Sequence, residues 1–216
     1  MSVRYRVKPG DCILGIAAEY GFSDWKDIWD RPENQDLRAK RPDPSVLAAG
    51  DVVIVPDQKP LVFMLATGKR HRIVVKRVKV AIRPQLLHMD ATPVASAKYA
   101  LTPAKKPMDG QTDGDGWFEQ KVASDVKALA LRVQLTDDAE GPTYGWSLAI
   151  GHLDPVDTDS GLQQRLSNLG YWPAGESDPA VLPFGLRAFQ KDHDLDVTGE
   201  ADQATRDKLK EVHGGI

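Results

Sequence analysis

Side chains that could act as nucleophiles are few and widely spaced in this sequence. Cys12 follows a turn at Pro9 and Gly10 and precedes an apolar helical pattern, and a thiol at a helix N-terminus tends to have a lowered pKa. A cysteine nucleophile also needs a base, and the first histidine of the chain is His71. A small structural thiol is therefore the preferred interpretation of Cys12, and a nucleophile is the alternative.

The acidic and histidine residues of the middle segment do not form a recognisable metal motif. Asp113 and Asp115 stand two apart in TDGDG, as calcium ligands do, but the third acidic residue and the distant glutamate of an EF-hand are missing. The stretch is predicted to be a turn. Zinc-binding spacing is missing for the histidines of this segment, which are His71, His88 and His152. We expect a protein without catalytic residues, metal or cofactor, with an unrecognised cell-wall hydrolase as the minor alternative.

Composition and charge exclude several classes of protein. The 216 residues carry a net charge of −3 and a pI near 6.0, whereas a protein that holds nucleic acid is usually strongly basic. No apolar run approaches the roughly 20 residues of a membrane helix. The opening MSVRYRVKPGD has no apolar signal region, and one cysteine cannot form an internal disulfide. We therefore expect folding in the cytoplasm, no nucleic-acid partner and no membrane insertion.

The first 58 residues are predicted to form a strand, two helices and a second strand. Residues 4–7 alternate as in a short strand, and residues 13–20 place apolar side chains on one helix face. Trp25 and Trp29 mark a second short helix. VLAAGDVVIVP is typical of a turn followed by a β-branched strand.

These residues resemble the LysM module, in which two helices pack on a two-stranded sheet (βααβ). The matching marks are V-x-x-G-D at Val7–Asp11, I-A at Ile16–Ala17, L-x-x-G-D at Leu47–Asp51 and I-V-P at Ile54–Pro56. The resemblance implies binding of N-acetylglucosamine-containing glycan in a shallow groove between two loops. The implied groove residues are Gly10, Asp11, Cys12 and Ile13 on one side and Leu47, Ala48, Ala49 and Gly50 on the other.

Two features depart from the LysM pattern. Cys12 stands where a hydroxyl residue is usual, and the stretch RPENQDLRAKRPDPS at residues 31–45, here called the insert, separates the second helix from the second strand. The insert is long enough for an extra helical turn around Asp36–Lys40, which would deepen the groove or block it. A structural dock that no longer binds sugar is the alternative function of this module.

Residues 59–157 are predicted to form a central antiparallel β-sandwich. The strand-like runs are RIVVKRVKVAI, AKYALT, GWFEQKV, KALALRVQL and YGWSLAIGHL. DGQTDGDGWFEQKV resembles the hairpin of prealbumin-like and carboxypeptidase-regulatory-like sandwiches, which implies a fold rather than a function. The basic residues of GKRHRIVVKRVK favour a charged edge strand, and phosphate binding is the alternative.

Residues 158–216 are predicted to form a three-helix bundle after the polar hinge DPVDTDS. Asp202 is placed to cap the last helix. Three sets of residues recur at helical spacing: Leu162, Leu166 and Leu169; Leu182, Leu186 and Phe189; and Thr205, Leu209 and Val212.

The third segment resembles the peptidoglycan-binding three-helix domain that accompanies many cell-wall hydrolases. The matching stretches are LQQRLSNLGY at Leu162–Tyr171 and LRAFQKDHDLDVTGEADQATRDKL at Leu186–Leu209. The usual Asp-Gly turn is replaced by AGESDPAVLPFG. The resemblance implies that four residues lie on or near the ligand surface, although their aromatic rings fit a core equally well: Tyr171, Trp172, Phe189 and Gln190.

Two functions fit this α+β, three-domain organisation. The first is a non-catalytic protein that binds peptidoglycan through two wall-binding modules, whose linkage raises the effective concentration of each site. The second is a structural adaptor of a contractile injection system, of the type VI secretion or phage-tail kind, which docks spike, baseplate or effector proteins. Both place the protein at the cell wall or periplasm by a route other than a signal peptide.

Overall fold

The computed structural model describes residues 2–58, 64–72, 79–102, 108–135, 141–151, 153–173, 176 and 178–214. The protein is mixed α+β, with several antiparallel sheets and a C-terminal helical region. Its contacts form two compact units that interleave in sequence. The first unit comprises residues 14–28 and 56–151, and the second comprises residues 2–13, 29–55 and 152–216. In the described part of the chain, no helix is both long enough and apolar enough to cross a membrane.

The N-terminal elements follow the predicted order. Strand β1 (Val3–Arg6) is followed by helices α1 (Ile13–Glu19) and α2 (Lys26–Trp29), and strand β2 (Val52–Val55) pairs antiparallel with β1. The insert contains a 3₁₀ turn at Pro32–Asn34 and helix α3 (Gln35–Lys40). The extra helical turn that the length of the insert suggested is therefore present.

The side chain of Asn34 pairs with the backbone of β2. Asn34 is almost fully buried; its Nδ2 donates to the carbonyl of Ile54 at 2.9 Å, and its Oδ1 accepts from the Ile54 N–H at 2.8 Å. One amide side chain thus satisfies the donor and the acceptor of a residue in a two-stranded sheet. This contact attaches the insert to the strand that follows it.

In the described part of the first unit, six strands form two antiparallel sheets. Their bounds are β3 (Lys79–Ile82), β4 (Lys98–Thr102), β5 (Met108–Gln111), β6 (Gln120–Ala123), β7 (Ala128–Gln134) and β8 (Thr143–Ala149). β3 pairs with β6, and the larger sheet has the order β5-β4-β7-β8. Buried side chains of β4, β6 and β7, among them Leu101, Val122 and Leu131, belong to one core, against which Val80 and Ile82 of β3 pack.

Strand β5 has no counterpart among the strand-like runs of the sequence. Its residues, MDGQ, lack the β-branched and aromatic side chains that favour strands. Gly110 fits because a Cβ there would lie 2.5 Å from the hydroxyl of Tyr99 on the neighbouring strand. A small residue at this position of the edge strand is therefore required by a packing contact with β4 that the sequence of β5 does not reveal.

The C-terminal helices are α4 (Asp159–Asn168), α5 (Leu182–Asp192) and α6 (Gln203–His213), with a 3₁₀ turn at Pro179–Val181. Thr158 caps α4 and Asp202 caps α6 by accepting hydrogen bonds from backbone N–H groups, so the predicted cap at Asp202 is confirmed. Side chains from all three helices share one buried cluster: Leu162, Leu166, Trp172, Leu186, Phe189 and Leu209.

Candidate functional site

The two loops predicted to edge the N-terminal groove are joined by backbone hydrogen bonds. The N–H of Val7 donates to Asp51 O and the N–H of Gly50 donates to Val7 O, both at 2.8 Å. Gly10 and Gly50 have positive φ angles of 80° and 92°, which glycine adopts at little cost. The structure therefore brings both sets of predicted residues to the same end of the β1–β2 sheet.

Burial divides the predicted groove residues into two groups. Ile13 and Leu47 belong to the interior, with 0% and 2% of their surfaces exposed, and Asp11 is also buried. The partly or fully exposed members are Gly10, Cys12, Ala48, Ala49 and Gly50. Direct contact with a ligand is therefore open mainly to backbone and small side chains, together with the Cys12 thiol.

Both aspartates of the two G-D motifs hold the loops in place. Asp11 Oδ2 accepts from the Tyr5 hydroxyl at 2.7 Å and from the N–H of Lys8 at 2.9 Å. Asp51 accepts from Lys40 Nζ at 2.8 Å and from Arg41 Nε and the Ala48 N–H at 2.9 Å. Glycan contact was implied for Asp11, but the observed bonds assign it a role in shaping the loop.

The Asp51 side chain is held in its charged form by the groups that donate hydrogen bonds to it. Burial would raise the pKa of its carboxyl, but the hydrogen bonds from Lys40, Ala48 and Arg41 outweigh burial and hold the pKa below its usual value. The carboxylate is therefore ionised at neutral pH. It ties the end of α3 to the loop that carries Ala48, Ala49 and Gly50.

In the helical region, two predicted ligand residues lie in the interior. Phe189 and Gln190 are both 0% exposed. Gln190 Oε1 accepts from the Gly199 N–H at 2.9 Å, and its Nε2 lies 2.9 Å from Glu200 O and 3.0 Å from Thr205 Oγ1. The Gln190 bonds tie α5 to the loop before α6 and to the start of α6.

The other two predicted residues lie nearer the surface. Tyr171 is partly buried and makes an edge contact with Phe189, at 5.4 Å between ring centroids. Its burial and the neighbouring Asp192 raise the pKa of its hydroxyl. Trp172 is 8% exposed, and its Nε1 donates to Glu176 O at 3.0 Å. Tyr171 is thus the most accessible member of the implied ligand set.

Comparison with known protein families bears on the helical region. Residues 160–209 match a family model described as a putative peptidoglycan binding domain. That match supports a peptidoglycan-binding domain at the C-terminus. No curated protein and no solved structure matches the chain. The resemblance of the first segment to LysM remains a prediction.

The peptidoglycan-binding domain exposes an aromatic residue that the helical pattern did not single out. Phe184 is 67% exposed and has the Arg187 guanidinium 5.9 Å from its ring centroid. The signal was available, because Phe184 lies off the apolar stripe formed by Leu182, Leu186 and Phe189 and is therefore expected to face solvent.

The other residues considered for chemistry have ordinary structural surroundings. Asp113 Oδ1 accepts from the N–H groups of Asp115 and Trp117, as expected in a turn. Within the described ranges, no group of three or more histidine, cysteine, aspartate or glutamate residues is arranged to hold a metal ion. His152 and the basic residues Lys76 and Arg77 lie outside the described residues.

Proposed function

We propose that this protein binds peptidoglycan without acting on it, through its C-terminal domain and a LysM-like N-terminal module. The observation that carries the proposal is the family match over residues 160–209. In the N-terminal module, the surface proposed to contact the glycan consists of small, partly or fully exposed residues, which are Cys12, Ala48, Ala49 and Gly50. Such a surface suits a flat, uncharged sugar ring with hydrogen-bonding groups at its rim.

Ligand contacts on the C-terminal domain are proposed for Tyr171 and Phe184, because these aromatic rings retain accessible surface. Aromatic rings combine a large apolar contact area with little loss of side-chain freedom. Phe189 and Gln190 are assigned a supporting role beneath this surface. Simultaneous use of both modules would strengthen attachment to a polymeric wall by linkage, and the protein would then act at the cell wall.

The test is sedimentation of the purified full chain with insoluble peptidoglycan sacculi. We expect the unaltered protein to pellet with sacculi and Phe184→Ala to pellet less. Ala49→Glu, which places a charged side chain on the exposed loop, should also weaken binding. Ala39→Glu is its matched control, because Ala39 is exposed on helix α3.

Different outcomes separate the proposed roles. Failure of the unaltered chain to sediment would contradict peptidoglycan binding and favour protein docking at both ends. Full binding by Ala49→Glu together with loss in Phe184→Ala would limit the sugar contact to the C-terminal domain. Release of soluble fragments from the sacculi would contradict the non-catalytic part of the proposal.

A further inference from the structure

The insert touches the start of the peptidoglycan-binding domain through an arginine. Arg41 follows α3, and its side chain is only 12% exposed. Nε of its guanidinium lies 2.9 Å from Asp51 Oδ2, and Nη1 lies 3.5 Å from Asp157 Oδ2. A planar guanidinium presents donors along several edges, so it can serve two carboxylates at once. Arg41 therefore connects the N-terminal loop carboxylate with the residues that lead into α4.

A buried arginine of α4, Arg165, contacts the residues that lead into that helix. Arg165 of α4 is 5% exposed and donates through Nη1 to Asp154 O at 2.8 Å and Gly161 O at 2.9 Å. Burial lowers the pKa of this guanidinium, while the charges of Asp43, Asp154 and Asp157 oppose that effect. Asp43 belongs to the insert. The insert thus supplies a cation, Arg41, to the segment that leads into α4.

We infer that the insert is an intramolecular dock, in which Arg41, paired with both Asp51 and Asp157, holds the β1–β2 end of the molecule against the peptidoglycan-binding domain. Residues 29–55 and 152–216 accordingly fall in the same compact unit. The dock fixes the spacing between the two loops of the N-terminal module and the C-terminal domain. The two surfaces then act as one composite binding site for a wall polymer, a consequence that rests on the proposed function.

Fixed spacing has a physical advantage over a flexible linker. A second binding event gains most from linkage when the two sites are already at the distance that the polymer requires. Ordering a flexible connection on binding would cost conformational entropy, which a preformed dock avoids. The function of the insert, which departs from the LysM pattern, is therefore to fix the spacing between the two binding surfaces.

The dock is tested by a distance measurement on the full chain. Cys12 is the single cysteine, so nitroxide labels on Cys12 and on Lys210→Cys report the distance between the two ends by electron paramagnetic resonance. We expect a narrow distance distribution in the parent chain. The double variant Asp43→Asn/Asp157→Asn removes the carboxylate that pairs with Arg41 and the carboxylate of Asp43 in the insert. It should broaden the distance distribution. The new amide oxygen at position 43 can still accept the bond that Asp43 takes from the Ser45 N–H, so the local turn is kept.

Controls separate docking from a general charge effect. Asp196→Asn removes an exposed carboxylate of the same domain and should leave the distribution narrow. Raising the salt concentration should broaden the parent distribution in part, because Asp157 is 66% exposed and its pair with Arg41 is open to screening. A broad distribution in the parent chain, or a narrow one in the double variant, would overturn the dock.

Sacculus binding by the unlabelled chains tests the consequence separately. If the dock makes one composite site, the double variant should bind about tenfold more weakly, a modest part of the gain that linkage can give, and Asp196→Asn should bind as the parent does. Unchanged affinity in the double variant would overturn the composite site. If the parent chain does not bind sacculi, the proposed function fails and the composite site fails with it, while the distance measurement still decides the dock.

Discussion

Gln190 provides the sharpest test of how the peptidoglycan-binding domain is held together. The resemblance implied a residue on or near the ligand surface, but the structure places its side chain in the interior, where the amide contacts the loop that leads into α6. Gln190→Leu keeps most of the side-chain volume and removes every polar contact. The substitution therefore separates a structural role from a ligand role.

The expected loss of stability comes from the partners that Gln190 leaves behind. The Gly199 N–H belongs to a buried residue and would lose its hydrogen-bond partner. The Thr205 hydroxyl would lose the bond from Gln190 but keeps its bond with the Asp202 side chain. A buried polar group without a partner costs about 1–3 kcal/mol. One such group predicts a decrease of about 1–3 kcal/mol in the free energy of unfolding, a sizeable part of the ~5–15 kcal/mol of a typical domain.

The assay is urea denaturation of the full chain, followed by circular dichroism of the helical signal. Gln203→Leu is the matched control, because Gln203 is exposed and its Nε2 bonds Asp207 at the surface; it should change stability by less than about 0.5 kcal/mol. Unfolding of Gln190→Leu at the parent urea concentration would refute the structural role. If Gln190→Leu has the stability of the parent chain but does not bind sacculi, Gln190 contacts the ligand.

Three further predictions follow from single contacts. Asn34→Ala should lower the free energy of unfolding by about 2–3 kcal/mol, because both backbone groups of Ile54 lose their partner; thermal melts check this, with the exposed Asn168→Ala as control. Gly161→Ala should cost about 1–3 kcal/mol, measured by urea denaturation, since a Cβ there would lie 2.0 Å from the Pro155 carbonyl oxygen and the backbone must shift; a stability equal to that of the parent would contradict this close approach. Burial, followed by the charge of Arg165, lowers the pKa of His213 below its ordinary 6.5. The unfolded chain therefore binds a proton at His213 more readily than the folded chain does. The stability contributed by neutral His213 is complete above about pH 6.5 and is lost as the pH falls further. Thermal melts between pH 5.5 and 7.5 should show a weaker pH dependence of Tm in His213→Gln.

The sequence predicts the helical region well because its signals are local. Apolar residues at helical spacing and a capping side chain act within one or two turns, so Leu162, Leu166 and Leu209 could be assigned to a buried face and Asp202 to a cap. Strand β5 shows the opposite case. Its position depends on the Tyr99 hydroxyl above Gly110, a contact between strands that no pattern within MDGQ contains.

The candidate sites show a second limit of sequence reasoning. A sequence motif contains residues that shape a binding loop as well as residues that contact a ligand. The sequence alone does not distinguish the two kinds. Asp11, Gln190 and Phe189 all belong to the matched motifs, yet each is buried with partners inside the protein. Phe184 lies outside the apolar stripe and is exposed. For ligand contact, the informative signal is an aromatic residue that the core pattern does not require.

The position of the insert is evident in the sequence, but its contacts with the rest of the chain are not. Its length and polarity indicate an additional helical turn, which the structure contains at Gln35–Lys40. The partners of Arg41 lie ten residues ahead at Asp51 and far along the chain at Asp157. Long-range pairs of this kind depend on tertiary packing, so a charged stretch that resembles a solvated loop can contact residues far along the chain. The contacts of Arg41 with Asp51 and Asp157 therefore give the insert a structural role that its length and polarity alone do not indicate.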